Sequence, residues 1–164
     1  MSLETAIIPH SFKEAMVRPK LKKNSSDFDV FPHFRPISNL KLLPKIIEKA
    51  VARQLIDYLK TNGLEEPLQS AYKAFYSTET ALVKVQNDTP CAIDQQQSII
   101  LLLLDLSAAF DTVDHDLLIS RLHTRFGIKG NALRWFVSYL QDRKRFVQVN
   151  DARSMSKDLH RGVP

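Results

Sequence analysis

The chain has 164 residues, 44% of them hydrophobic, which suits one domain with a real core and is too apolar for a disordered polymer. It carries 23 Lys and Arg against 18 Asp and Glu, a net charge of +5, and a single cysteine, Cys91, which excludes an internal disulfide and a thiolate metal cluster. The aliphatic run 99–104 is far short of the roughly 20 residues that span a bilayer, and the N-terminus lacks the apolar stretch of a signal peptide. The expectation is a nuclear or cytoplasmic chain, not secreted, with no membrane contact and no disulfide partner.

The excess charge sits at the ends. Lys13, Arg18, Lys20, Lys22 and Lys23 face only Glu4 and Glu14, and Arg143, Lys144, Arg145, Arg153, Lys157 and Arg161 face Asp151 and Asp158. Such ends suit a polyanion partner or a solvated basic surface, and charge alone favours the second. In chain order, "SLETAIIPHSFKEA" mixes a short helical segment with a Pro-punctuated stretch, and "MVRPKLKK" alternates loosely, as a strand would. "NSSDFDVFPHFRPIS" reads as loop, with Pro32 and Pro36 as breakers. "LLPKIIEKAVARQLIDYLKTNG" is the strongest helix, with Leu43, Ile46, Ile47, Ala50, Val51, Leu55, Ile56 and Leu59 at the helical period, Pro44 in the first turn and Gly63 at the stop.

"LEEPLQSAYKAFY" is a connector with some extended character. "STETALVKVQNDTPCAIDQQQ" predicts a second helix, capped by Ser77 or Thr78, with Glu79 at the positive end of its dipole. Pro90 inside it predicts a kink or break near 87–89. "SIILLLLDL" reads as a strand buried on both faces. "VDHDLLISRLHTRFG" is a short helix ended by Gly127, and "GNALRWFVSYLQDR" another, with Leu133, Phe136, Val137 and Leu140 inward. "KRFVQVND" alternates as a strand, and "MSKDLHRGVP" reads as its hairpin partner. Helices and strands mix without a regular βαβ rhythm, so the class is α+β.

A rigid apolar strand ending in Asp105 presents a carboxylate where a cleft can use it. Mg²⁺ takes hard oxygen ligands, often one or two from protein and the rest from water and phosphates. The competing reading is that Asp105 caps a turn at Ser107 and Ala108, and structural carboxylates outnumber catalytic ones. Asp111, Asp114 and Asp116 stand before an amphipathic segment, so Asp114 or Asp116 suits an N-cap. His115 has no partner at a zinc-ligand spacing and reads as a surface or capping residue.

The blocks "FKEAMVRPKLKK", "FRPISNLKLLPKIIEKAVARQL", "LQSAYKAFYSTETAL", "LLLLDLSAAFDTVDHDLL", "RWFVSYLQDR" and "GVP", in that order, carry a family likeness. Over about 12–164 the chain resembles the N-terminal half of the reverse transcriptase domain of non-LTR retrotransposons, of the long-interspersed-element kind. The resemblance implies right-hand polymerase fingers and an incomplete palm over 35–164, preceded by a basic extension and loop over 1–34. It implies Asp105 as the first catalytic aspartate, binding two Mg²⁺ ions with help from the Leu106 carbonyl. Ala108 and Ala109 would offer backbone amides to the incoming triphosphate, and Phe110 would lie under the sugar and exclude a 2′-hydroxyl. Arg35 and Lys73 match basic positions that hold template or triphosphate. The partners implied are an RNA template, a DNA primer and deoxynucleoside triphosphates.

The sequence also departs from the family pattern. Tyr76 stands where His is usual, Ala74 and Phe75 replace small or basic residues, Pro90 interrupts a helix the family keeps continuous, and Arg161 is unusual before "GVP". No Asp-Asp pair occurs in the sequence, so the second carboxylate motif of a two-metal site is missing. The expectation is a reverse transcriptase segment that does not polymerise by itself, the alternative being a non-catalytic nucleic-acid-binding remnant of a decayed element. A palm strand without its partner would be an aggregation site, which predicts poor solubility.

Overall fold

A computed structural model of the chain describes residues 2–22, 30, 33–106 and 108–163. Pro32 and Ser107, the expected breaker and turn residue, lie outside them. The elements follow the order α1 (Ser2–Thr5), β1 (Glu14–Leu21), β2 (Phe34–Asn39), α2 (Leu42–Thr61), α3 (Thr78–Asp94), α4 (His115–Thr124), α5 (Gly130–Leu140), β3 (Lys144–Val149), β4 (Ala152–Arg153) and β5 (Lys157–Asp158). The class is α+β, as expected. Contacts divide the chain into two units, one of Met1–Asp57 with Ala108–Pro164 and one of Tyr58–Ser107.

The first unit holds the sheet, ordered β2-β1-β3-β4 with β5 also paired to β3. β1 runs antiparallel to β2 and parallel to β3, so the sheet is mixed. The "FRPIS" stretch is therefore strand, not loop. The Lys22 N–H donates to the His33 carbonyl at 2.8 Å, which makes Lys20–Arg35 and Arg18–Ile37 the hydrogen-bonded pairs of the ladder. Pro19 and Pro36, partners in register, fall between these pairs, where neither strand uses the other's N–H. The two prolines thus cost the ladder nothing, which the reading of Pro36 as a breaker misses.

Ala15 and Val17 are buried on one face of β1, while Arg18 and Lys20 are exposed. α5 supplies most of the helical core: Trp135 and Leu140 are buried and Leu133, Phe136 and Val137 half-buried. Trp135 clusters with Ala6 and Ile8, against Phe12, Ile47, Val51, Phe136 and Tyr139. Its ring stacks on Tyr139 at 5.1 Å, and the Arg143 guanidinium lies 4.1 Å over the other ring. The Tyr139 hydroxyl donates to Glu48 at 2.6 Å, and burial with that bond raises its pKa well above the ordinary tyrosine value. Arg143 is 2% exposed; its Nε donates to the Tyr139 carbonyl at 2.5 Å, and burial lowers its pKa. Its Nη1 and the Trp135 indole N–H have no hydrogen-bond partner among the described residues, a cost the packing must offset.

Helix ends follow local chemistry. α2 stops in a Schellman motif, with Gly63 at φ +63, its N–H on the Lys60 carbonyl at 3.1 Å and the Leu64 N–H on the Leu59 carbonyl at 2.9 Å. Ser77 caps α3 in a reciprocal box with Thr80. Asp114 caps α4, accepting the Leu117 N–H at 3.1 Å. α3 runs through Pro90 without the expected break. Every residue of this helix is exposed or half-buried.

In the second unit no described residue is buried. The expected strand over 99–104 does not form: the run is irregular, and Ile100, Leu103 and Leu104 are 92%, 83% and 83% exposed. Hydropathy sets a preference for burial, but a strand also needs a ladder partner for every backbone group. The described sheet pairs among β1 to β5 alone.

Candidate nucleotide and nucleic-acid site

The β1–β2 ribbon concentrates charge by register. Alternation along β1 puts Arg18 and Lys20 on the face opposite Ala15 and Val17. Lys20 stands directly across from Arg35, so two cations share one cross-strand pair. Like charges opposed in this way destabilise a sheet unless an anion lies between them. Arg18, Lys20, Lys22 and Arg35 are all exposed, and no carboxylate among the described residues pairs with them.

The same face is neutralised at its other end. Arg153 meets Glu14 at 3.1 Å and stacks 3.8 Å over Phe146, and Lys144 meets Asp158 at 3.7 Å. Lys13, just before β1, takes no part: it is 5% exposed, and burial lowers its pKa against the opposing pull of Asp142 at 4.0 Å.

Residues 108–112 form a tight turn in the same unit. The Ala108 carbonyl accepts the N–H of Asp111 at 2.9 Å and of Thr112 at 3.2 Å, and Ala108 sits at φ +52. The amides of Ala108 and Ala109 have no acceptor among the described residues, as donors to a ligand would require. The Phe110 ring is 55% exposed. Among the described residues no hydrogen bond ties Arg35 to this turn.

Lys73, Asp105 and Leu106 belong to the second unit. Asp105 and Leu106 are exposed, and Asp105 makes no hydrogen bond or ion pair among the described residues. Lys73 is engaged with Glu65 at 3.9 Å and lies 5.4 Å over the Tyr76 ring, so its charge is partly answered within the chain. Among the described residues no three His, Cys, Asp or Glu side chains gather as a metal site, and no helix is long and apolar enough to cross a membrane. Cys91 is free and exposed.

Sequence reasoning placed Arg35 but missed its partner. The signal was present in the alternation Arg18, Lys20, Lys22, which marks one face of a strand. A loop reading of "FRPIS" hides it, because that reading leaves β1 nothing to pair with.

Residues 21–164 match the family model described as reverse transcriptase (RNA-dependent DNA polymerase). The chain is 29% identical over 131 residues to a probable RNA-directed DNA polymerase from transposon BS of Drosophila melanogaster, covering 80% of this chain and 14% of that protein. It is 28% identical over 131 residues to the probable RNA-directed DNA polymerase from transposon X-element of the same fly, with the same coverage. To the RNA-directed DNA polymerase from mobile element jockey it is 25% identical over 162 residues, 99% of this chain and 17% of that protein. The chain thus spans about one-seventh of the length of the first two relatives. With most of its length matched, the chain belongs to the reverse transcriptase family, in its non-LTR retrotransposon branch.

Proposed function

We propose that this chain serves as part of an RNA-directed DNA polymerase, in which the β1–β2 ribbon holds phosphates of nucleic acid or of the incoming nucleotide. The observation that carries the reading is the Lys20–Arg35 pair, opposed in register on an exposed face with Arg18 and Lys22 and without acidic partners among the described residues. An anionic backbone laid across that face would relieve the repulsion and gain charge-assisted hydrogen bonds.

In the same reading, 35–164 are fingers and the first half of a palm, and the basic 1–34 segment lends β1 to the sheet. The free amides of Ala108 and Ala109 donate to triphosphate oxygens, as backbone N–H groups do in anion cradles. The flat Phe110 ring gives a deoxyribose a surface and a ribose 2′-hydroxyl no partner. Lys73 exchanges Glu65 for a phosphate oxygen. Its ion pair at 3.9 Å is long enough to be weak.

The chemistry of Asp105 and Leu106 fits Mg²⁺: an exposed, unpaired carboxylate and a carbonyl are hard oxygen donors, and the remaining ligands come from water and phosphates. Asp105 and the Leu106 carbonyl would hold the ion, which when bound neutralises charge on the transferring phosphoryl group. One carboxylate does not make a two-ion site, so a further acidic group completes it.

The test is a titration with labelled RNA–DNA primer-template. Lys20→Ala/Arg35→Ala should bind at least tenfold more weakly than the wild type. Asp105→Asn should keep that affinity and lose Mg²⁺-dependent retention of a deoxynucleoside triphosphate. Equal affinity of the double variant would remove the ribbon from the site.

A further inference from the structure

We infer that His115 and Gly162 form a clasp that fixes the 108–112 turn, making His115 a positioning residue for sugar discrimination at Phe110. The inference rests on the proposed role of Phe110 and adds to it the groups that hold that residue in place.

His115 opens α4 and is half-buried. Its Nε2 lies 2.7 Å from the Gly162 carbonyl oxygen. A carbonyl can only accept, so Nε2 carries the hydrogen and donates. Two backbone bonds run alongside: the Gly162 N–H donates to the Val113 carbonyl at 2.8 Å, and the Val163 N–H donates to the Phe110 carbonyl at 3.0 Å. An antiparallel bridge joins Asp114 and Arg161.

The approach at 162 is tight enough that a side chain there would press on backbone. Gly162 is buried at φ +88, and a Cβ there would stand 3.0 Å from the Asp111 Cα and carbonyl oxygen and 3.1 Å from the Phe110 oxygen. Residues 161–163 thus lie on the backbone of 110–113, and the carbonyl of Phe110 itself is one of the anchors. The turn's internal bonds set its shape. The cross bonds to 162 and 163 set where it points the half-exposed Phe110 ring. Of those cross bonds only the one from His115 uses a side chain, so it alone can be removed while every backbone group stays.

A ring that excludes a 2′-hydroxyl works only while it is held against the sugar. Small displacements at such a site are costly because discrimination depends on contact. Loosening the clasp should therefore erode the preference for deoxyribose before it affects phosphate binding.

The test uses the full 164-residue chain with His115→Phe, His115→Gln and Phe110→Ala. Two readouts are taken: amide hydrogen exchange at Gly162 and Val163, and the ratio of dATP to ATP affinity by NMR titration. His115→Phe should speed exchange at both amides at least tenfold and lower the ratio several-fold. His115→Gln, whose amide N–H reaches about as far as imidazole Nε2, should restore both. Should His115→Phe lose Trp135 burial, His115→Asn, polar but shorter, takes its place with the same expected losses. Unchanged exchange in the loss variant overturns the clasp, and faster exchange with an unchanged ratio overturns the positioning role. Phe110→Ala separates the two ideas. If it leaves the ratio at wild-type level, or if the wild type binds neither nucleotide, the sugar-facing reading of Phe110 fails, and with it the positioning role. The exchange data still decide the clasp.

Discussion

Gly162→Ala is the sharpest stability test of the contact between 161–163 and 110–113. Two costs add. A non-glycine residue in the left-handed region costs roughly 1–2 kcal/mol. The new methyl would also meet Asp111 backbone atoms at 3.0 Å, and backbone cannot swing aside as a side chain would. Overpacking of this kind costs roughly 1–3 kcal/mol. The sum is about 2–5 kcal/mol, a large share of the stability of a small domain. Gly130→Ala is the matched control: Gly130 sits at φ +59, but a Cβ there meets nothing within 4 Å, so only the conformational cost applies. The assay is urea unfolding followed by Trp135, the one tryptophan, which is buried in the same unit. Gly162→Ala should lose more than Gly130→Ala by at least about 1 kcal/mol, the smaller end of the overpacking range. Equal losses would mean that the close approach at 162 is absent.

Other consequences are equally measurable. Lys13→Met removes a buried ammonium and should be neutral to about 1 kcal/mol more stable at neutral pH. Burial makes Lys13 bind its proton less tightly in the folded chain than in the unfolded one. The penalty is therefore fully present at neutral pH and relieved as pH rises through the lowered pKa toward the ordinary lysine value. The advantage of Lys13→Met in urea midpoint should shrink over that alkaline window, and a gap that widened would refute the burial account. Ser77→Ala removes the hydroxyl that accepts the Thr80 N–H, one of the two bonds of the α3 capping box, and should cost about 1 kcal/mol. Because no residue of α3 is buried, the loss should appear as reduced helical circular dichroism with the Trp135 unfolding midpoint unchanged. Leu102→Lys interrupts the exposed aliphatic run and should raise the monodisperse fraction in light scattering. Unaltered aggregation would show that self-association uses another surface.

The helices were legible because each carries its own local signals. Ser77, Asp114 and Gly63 announced ends that the backbone then satisfies by hydrogen bonds within a few residues. β3 and β5 were legible because they form a local antiparallel pair. β2 was not, because its register depends on β1 across a loop, and only that register shows Pro19 and Pro36 to be harmless. The 99–104 run misled in the opposite direction, since apolar composition says what a segment avoids and not what it pairs with. Within the site, Arg35, Ala108, Ala109 and Phe110 could be marked from family blocks. The Lys20–Arg35 opposition and the His115–Gly162 clasp needed coordinates, because residues 15 and 47 positions apart in sequence meet only through pairing and turn geometry.

The claim that the β1–β2 ribbon holds phosphates is tested most directly by the salt dependence of single-stranded RNA binding. Each phosphate contact contributes about 0.7 to the slope of log affinity against log salt on a single strand. Lys20→Ala/Arg35→Ala should therefore reduce the slope by about 1.4, while Lys84→Ala/Lys144→Ala, whose cations already pair with Asp88 and Asp158, should leave it near the wild-type value. A double variant at 20 and 35 with the wild-type slope, or a control pair with the same drop, would contradict the account.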